Sequence, residues 1–246
     1  MTNKTHFGYR DVDTSIKASL VKNVFDNVAS KYDIMNDVMS AGVHRIWKNS
    51  FINTLNPQEN SRLLDVAGGT GDIAFRYKKR VQKGHVTVLD INNNMLSEGY
   101  KNSVNKNMLD GINWLCADAQ KLPLPDNCYN YYTIAFGIRN VTDITKALQE
   151  AYRILKPGGR FLCLEFSKIE NKILANLYDY YSFNMIPKMG EVIAKDRASY
   201  QYLIESIRKF PGQEEFLQMI KDAGFENCKY TNLTMGTAAI HSGWKI

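Results

Sequence analysis

Three short stretches of this chain place carboxylates and glycines where they can hold a charged small molecule. In Leu63-Leu64-Asp65-Val66-Ala67-Gly68-Gly69-Thr70-Gly71-Asp72 an apolar run ends in an acid, turns on glycines and opens a helix. Asp90 closes the run Val86-Thr87-Val88-Leu89-Asp90, and Asp118-Ala119 follows Trp114-Leu115-Cys116-Ala117. Gly68, Gly69 and Gly71 allow a sharp turn and a close approach with no Cβ in the way. The helix after them offers its N-terminus to a ligand. A carboxylate such as Asp90 can accept both hydroxyls of a ribose. Asp118 suits an adenine amino group, and the Ala119 backbone N–H a ring nitrogen. The chemistry is that of a nucleotide-like cofactor.

Asp65 decides which one. The spacing Gly69-x-Gly71-x-x-Ala74, with Asp90 downstream, also satisfies the loose dinucleotide pattern, which alone is a weak signal. An acid at the end of the first strand would crowd a pyrophosphate with like charge. It suits the cationic methionine portion of S-adenosylmethionine. Each residue also has a plainer use: Asp90 as a helix cap near Asn92, with Asn93 and Asn94 competing, and Asp118 as a turn residue. The repetition of an acid at three strand ends favours the ligand.

A further stretch, Ile134-Ala135-Phe136-Gly137-Ile138-Arg139-Asn140-Val141, closes the fourth strand of the series. Ligands of open parallel sheets bind beyond the carboxyl ends of the strands, so Arg139 and Asn140 are directed to the same place. Asn140 could instead cap the helix starting near Thr142, with Asp143 sharing that work.

The elements that must carry these residues read as one α/β domain. From Ser61 onward, strands at 62–66, 85–90, 112–116, 130–135 and 160–166 alternate with helices at 71–80, 93–106 and 142–155, which implies a parallel sheet covered on both faces. Lys156-Pro157-Gly158-Gly159 reads as a helix-to-strand turn. A helix at 213–223 stops at Gly224, and strands at 226–233 and 236–244 form a closing antiparallel hairpin. A mostly parallel sheet closed in this way resembles the Rossmann-like fold of S-adenosylmethionine-dependent methyltransferases. Residues 1–57 are an N-terminal helical arm. It holds helices at 15–31 (apolar stripe Ile16, Leu20, Val24, Val28) and about 44–55. Residues 168–209 form a helical, aromatic-rich insertion covering the site, and the whole span 1–246 is a single domain.

Composition sets the bounds. The 246 residues are 44% hydrophobic and 23% charged, enough for one full core, with a net charge of +6. That charge suits an anionic membrane surface. Lys78-Lys79-Arg80 reads as a solvated helix end rather than a nucleic-acid patch, and no nucleic-acid partner is expected. Cys116, Cys128, Cys163 and Cys228 are scattered without metal-ligand spacing, and the histidines form no motif, so no metal is expected. Cys116 and Cys163 read as small core residues. Met1–Asp13 has no leader pattern, and no run is long enough to span a bilayer, which predicts a cytoplasmic protein able to touch the inner face of a membrane.

Two longer stretches make a family resemblance specific: Tyr32-Asp33-Ile34-Met35-Asn36-Asp37-Val38-Met39-Ser40-Ala41-Gly42-Val43-His44-Arg45-Ile46-Trp47 and Arg153-Ile154-Leu155-Lys156-Pro157-Gly158-Gly159-Arg160-Phe161-Leu162-Cys163-Leu164-Glu165-Phe166-Ser167. Both resemble the signatures of the UbiE-type ubiquinone/menaquinone biosynthesis C-methyltransferases, and the similarity runs from about Phe25 to Lys245. The resemblance implies methylation of a ring carbon of a polyprenylated quinol, with S-adenosylmethionine as donor. It carries Thr70, Asp90, Asp118 and Ala119 over as cofactor contacts, and leaves Ala135 where many members have serine. Tyr32, Arg139 and Asn140 become the candidate catalytic residues. Arg139 would hold the oxyanion or an ordered water, Asn140 would orient the same group, and Tyr32 would pack near the transferred methyl. Asp33 and His44 are alternative proton acceptors. A homodimer and contact with other quinone-biosynthesis enzymes are further expectations. Tyr181, Phe183 and Met185, within 177–187, would line a groove for the prenyl tail; the alternative is an ordinary core-packed helix. Readings outside the resemblance are a methyltransferase acting on another small molecule, a nicotinamide-dependent oxidoreductase and a non-catalytic membrane scaffold.

Overall fold

The computed structural model describes residues 4–28, 36–37, 40, 42–169 and 197–246, without the side chains of 27–28. Tyr32, Asp33 and the 177–187 segment lie outside the described residues, as does most of the expected 168–209 insertion.

Among the described residues the central sheet has seven strands: β3 (Arg62–Val66), β4 (His85–Asp90), β5 (Ile112–Cys116), β6 (Tyr129–Ala135), β7 (Leu155–Phe166), β8 (Glu226–Leu233) and β9 (Ala238–Trp244). Their spatial order is β5-β4-β3-β6-β7-β9-β8. The first five run parallel; β9 is antiparallel to both β7 and β8. The sequence therefore leaves β3 in one direction to build β4 and β5, and in the other to build β6 and β7. A crevice must open at the carboxyl ends of β3 and β6, where the winding reverses.

Alternation along the strands builds two apolar layers. Leu63, Val86, Val88, Leu162 and Leu164 face one, together with α2 (His44–Leu55), α3 (Asp72–Arg80), α4 (Asn93–Asn105) and α6 (Arg197–Lys209). Leu64, Val66, Leu89, Ile134, Phe161 and Cys163 face the other, against α5 (Ile144–Ile154) and α7 (Gln213–Asp222). Gly224, at φ +101°, ends the α7 segment as expected. Among the described residues no helix is long and apolar enough to cross a membrane.

Four details depart from expectation. The arm opens with a small hairpin, β1 (Lys4–Phe7) and β2 (Arg10–Asp13), before α1 (Thr14–Val28). In α1 the inward side carries Lys17, Val21 and Val24, while Ile16 is exposed. Lys156-Pro157-Gly158-Gly159 is an irregularity inside β7 rather than a turn before it: Tyr129 pairs with Leu155, and Tyr131 with Arg160. Cys163 is buried, but Cys116, at the end of the edge strand β5, is exposed.

Candidate active site

The crevice at the winding reversal is a partly open cleft lined by strand ends and by helix α1, the place where open α/β sheets bind small molecules. Its floor is the turn after β3, with Val66, Ala67 and Gly69. Leu89, Asp90, Ile91 and Asn92 come from the end of β4, and Ala117, Asp118, Ala119 and Gln120 follow β5. Phe136, Gly137 and Asn140 to Thr142 come from the end of β6. Helix α1 forms a wall through Ala18, Val21, Lys22 and Phe25.

The backbone at the floor is held in conformations that side chains rarely adopt. Ala67 and Phe136, at the ends of β3 and β6, have φ of +50° and +57°. A Cβ on Gly137 would stand 2.4 Å from the Ala67 Cβ, so the approach of these two strand ends requires glycine there. Gly69 has φ +52°, and a Cβ on it would meet the Met95 methyl at 2.9 Å. Non-glycine residues in left-handed conformations gather where a binding surface over-determines the backbone.

Asp90 lies in the cleft wall and ties two turns together. Its Oδ2 accepts the Gly69 N–H at 3.0 Å, and its Oδ1 accepts the Asn92 N–H at 2.9 Å. It does not cap α4; Asn92 does, accepting from the Asn94 and Met95 amides. Burial pushes the Asp90 carboxyl up to about 6 despite these backbone bonds. Asp118 accepts from the backbone and side-chain nitrogens of Gln120, whose Oε1 in turn accepts the Asp143 N–H. Ala119 is buried beside it.

Asp65 sits under the floor, fully buried. Oδ1 accepts from Thr133 Oγ1 at 2.8 Å, and Oδ2 has no partner among the described residues. Burial dominates and raises the carboxyl to about 7, with the Thr133 bond opposing. A buried acid with an orphaned oxygen, next to a cradle that a Cβ would fill, fits a cationic ligand part. Thr70 is buried on the far side of the turn, in a second, polar cleft with His44, Asp72 and Arg76. There the Lys48 ammonium, 2.8 Å from Asp72, and Arg76 hold the Asp72 carboxyl below its ordinary value against the effect of burial.

The two residues expected after β6 part company. Both belong to a 3₁₀ turn, Ile138–Asn140. Asn140 faces the cleft and caps nothing; Asp143 caps α5. Arg139 turns the other way. Its guanidinium is buried against Glu165 Oε1 at 2.8 Å, with the Phe136 carbonyl at 2.6 Å and Ser206 Oγ at 3.3 Å. It stands over the Phe166 ring and is not part of the cleft wall. The described geometry does not bring Arg139 to the cleft where an oxyanion contact was expected of it: a buried carboxylate draws the cation away. His44, the alternative proton acceptor, is buried, with Nδ1 3.0 Å from Ser40 Oγ, and burial lowers it to about 4. That makes it a weak base.

Sequence reasoning missed the roof. Asp26 Oδ1 on α1 accepts from the side-chain amides of Asn92 and Asn94, each at 2.8 Å. On the other side of the cleft Lys17 Nζ donates to the Val141 carbonyl at 3.1 Å. The amphipathic stripe showed that α1 packs on something, but nothing local said that a ligand cleft lies beneath it. Gln120 was missed too, because its partners Asp118 and Asp143 converge only in the fold.

The model of the ubiE/COQ5 methyltransferase family matches residues 13–245. Over 98% of this chain, which aligns with 97% of the relative, it is 59% identical to a ubiquinone/menaquinone biosynthesis C-methyltransferase from Ruegeria sp.. Over 99% of this chain and 87% of the relative, it is 52% identical to a mitochondrial 2-methoxy-6-polyprenyl-1,4-benzoquinol methylase from Dictyostelium discoideum. Among solved structures, an S-adenosylmethionine-dependent methyltransferase from Thermotoga maritima superposes with TM-score 0.64 at 21% identity, covering 91% of this chain and all but 1% of that one (99%). The [4+2]-cyclase SpnF superposes with TM-score 0.70 at 15% identity, covering 93% of this chain and 96% of that one. These last two likenesses concern the fold alone, and the second shows that the fold by itself does not fix the reaction.

Proposed function

Because the chain belongs to the ubiE/COQ5 methyltransferase family, we infer that it is an S-adenosylmethionine-dependent C-methyltransferase of quinone biosynthesis, acting on the ring of a polyprenylated quinol. The observation that carries this is identity of 52–59% along nearly the whole chain, not one motif. The substrate is 2-polyprenyl-6-methoxy-1,4-benzoquinol, demethylmenaquinol or both.

Family and fold imply the use of S-adenosylmethionine, and the residues of the cleft fit it. When bound, it supplies an electrophilic methyl group on a sulfonium. The ribose falls to Asp90 and the adenine to Asp118 and the Ala119 amide. Gly69 gives close approach to the backbone. Asp65 supplies negative charge beneath the cationic methionine part. Leu89, Met95 and Ala119 exclude water around the adenosine, which strengthens each of these contacts.

At the substrate end, the ring carbon becomes nucleophilic as the neighbouring hydroxyl passes its proton to water. The chain must then favour negative charge on that oxygen. Asn140 is the described polar side chain placed for this at the end of β6. Tyr32 is proposed to pack at the transferred methyl, and Tyr181, Phe183 and Met185 to receive the prenyl tail. Arg139 acts behind the turn, holding it in place through its buried pair with Glu165. A tail anchored in a bilayer and a net charge of +6 support an encounter at an anionic membrane surface.

The test is direct. Purified full-length chain is given S-adenosylmethionine and each of the two quinols, and ring methylation is read by mass spectrometry. Methylation of at least one is expected. Inertness toward both, with cofactor binding intact, would transfer the assignment to another small-molecule substrate.

A further inference from the structure

Tyr202 lies on α6, remote in sequence from every motif of the cleft. Its Oη donates to Asn140 Oδ1 at 2.9 Å. The tyrosine is 5% exposed, and its ring stacks on Phe7 of β1, centroids 4.1 Å apart and planes 18° from parallel. A tyrosine this buried needs a partner for its hydroxyl, and Asn140 is that partner. An asparagine side chain has one acceptor atom and one donor nitrogen. With the acceptor held by Tyr202, the donor is left for the cleft. Asn140 Nδ2 makes no hydrogen bond to any described residue.

We propose that Tyr202 is a positioning residue for methyl transfer: it holds the Asn140 carbonyl oxygen, so that the Asn140 amide nitrogen faces the cleft and donates to the ring oxygen of the quinol beside the carbon being methylated. This rests on the quinol reading above and specifies how its substrate end works. The donor meets a need that arises only in the reaction, when negative charge develops on that oxygen. A free asparagine amide could turn either way; the fixed one presents only its N–H groups. The surroundings reinforce this. One turn further along α6, Ser206 accepts from Arg139 Nε at 3.3 Å, so a single helix face grips two consecutive residues of the 3₁₀ turn. Beyond Phe7 the Tyr9 amide donates to Glu205 Oε2 at 3.0 Å. The β1–β2 hairpin thus braces the helix that orients the site.

Tyr202→Phe keeps the ring and its stack on Phe7 and removes only the hydroxyl. With full-length chain and saturating S-adenosylmethionine, kcat for quinol methylation should fall about tenfold, the rate equivalent of one directed hydrogen bond. Cofactor affinity and melting temperature should stay at wild-type values. Asn140→Ala should fall at least as far, and the double variant should be no slower than Asn140→Ala, because Tyr202 acts only through Asn140. Asn140→Asp, which puts an acceptor where the donor was, should be slower still. An active wild type with unchanged Tyr202→Phe turnover overturns this assignment alone, as do losses that multiply in the double variant. A wild type inert toward both quinols overturns the function first and this assignment with it.

Discussion

Thr133 Oγ1 donates to Asp65 Oδ1 at 2.8 Å across the β3–β6 pair, leaving Asp65 Oδ2 buried under the floor of the cleft and without a partner among the described residues. One hydrogen bond does not compensate a buried charge, and the carboxyl is raised to about 7; Asp90 beside it is raised to about 6. A cationic cofactor favours both as carboxylates. At pH values below these pKa values, binding must expel protons, so affinity should rise with pH up to about 7 and level off above it. Calorimetry in buffers of different ionisation enthalpy should show proton release at about pH 6 and little at about pH 8. Asp65→Asn should remove the upper part of this dependence. An affinity that does not vary with pH would remove Asp65 and Asp90 from the cofactor's surroundings.

Asp90 bonds two backbone amides and faces the cleft, so its alanine variant would confuse binding with turn stability. Asp90→Asn keeps the shape and one acceptor. It should weaken S-adenosylmethionine by roughly 2–4 kcal/mol, the loss of charge-assisted hydrogen bonds to a ribose diol. The circular dichroism spectrum should stay that of the wild type. Equilibrium binding at a pH near 8 measures it; an affinity within twofold of wild type assigns the ribose elsewhere.

What could be read in advance follows the range of each signal. The cofactor half of the cleft is made of strand ends and turns, and Asp90, Asp118 and Gly69 announce themselves by apolar runs and glycines within a few residues. The strands 62–66, 85–90 and 112–116 carry enough β-branched and apolar residues to fix their limits. The direction of Arg139 was not legible because the residue that decides it, Glu165, lies 26 positions away on β7. The β1–β2 hairpin was invisible because each strand has four residues and its stabilising contacts, Phe7 on Tyr202 and Tyr9 on Glu205, are long-range. The orientation of α1 was misread for a related reason. Its inward face holds Lys17, whose ammonium reaches the Val141 carbonyl, a contact that no apolar count anticipates.

The Arg139–Glu165 pair is buried on both sides, with Glu165 Oε2 lacking a partner among the described residues and burial pushing its carboxyl up. Removing the cation strands a buried acid. Arg139→Ala should cost about 3–5 kcal/mol of stability and lower the melting temperature by roughly 10 °C for a domain of this size. Turnover should fall too, since the turn that carries Asn140 loses its anchor. Adding Glu165→Gln to that variant should recover part of the melting temperature, because the stranded charge is gone. A single variant as stable as wild type would show that the pair contributes nothing to holding the turn.

The histidines set the response to acid. His241 Nε2 lies 3.0 Å from the Gln213 carbonyl, which can only accept, so Nε2 carries the proton and the buried Nδ1 has no partner among the described residues. Burial lowers His241 to about 4; burial and then the Lys48 charge lower His44 to about 4, against the pull of Asp37. Their unfolded value is 6.5. Between 6.5 and about 4 the unfolded chain takes up protons that the folded chain refuses, so this stabilisation is whole above 6.5 and is lost as the pH falls. Asp65 and Asp90 act in the opposite sense. In the cofactor-free protein they take up protons from about 7 and about 6 downward, while unfolded aspartates stay ionised to 3.8, and this offsets the histidines. With S-adenosylmethionine bound, both carboxylates are held ionised and the offset disappears. The melting temperature of the free protein should therefore stay nearly level as the pH is lowered from about 7 to about 5, while that of the cofactor-saturated protein falls over the same range. Differential scanning calorimetry with and without saturating S-adenosylmethionine distinguishes the two curves. Parallel curves would mean that Asp65 and Asp90 do not change their ionisation when the cofactor binds.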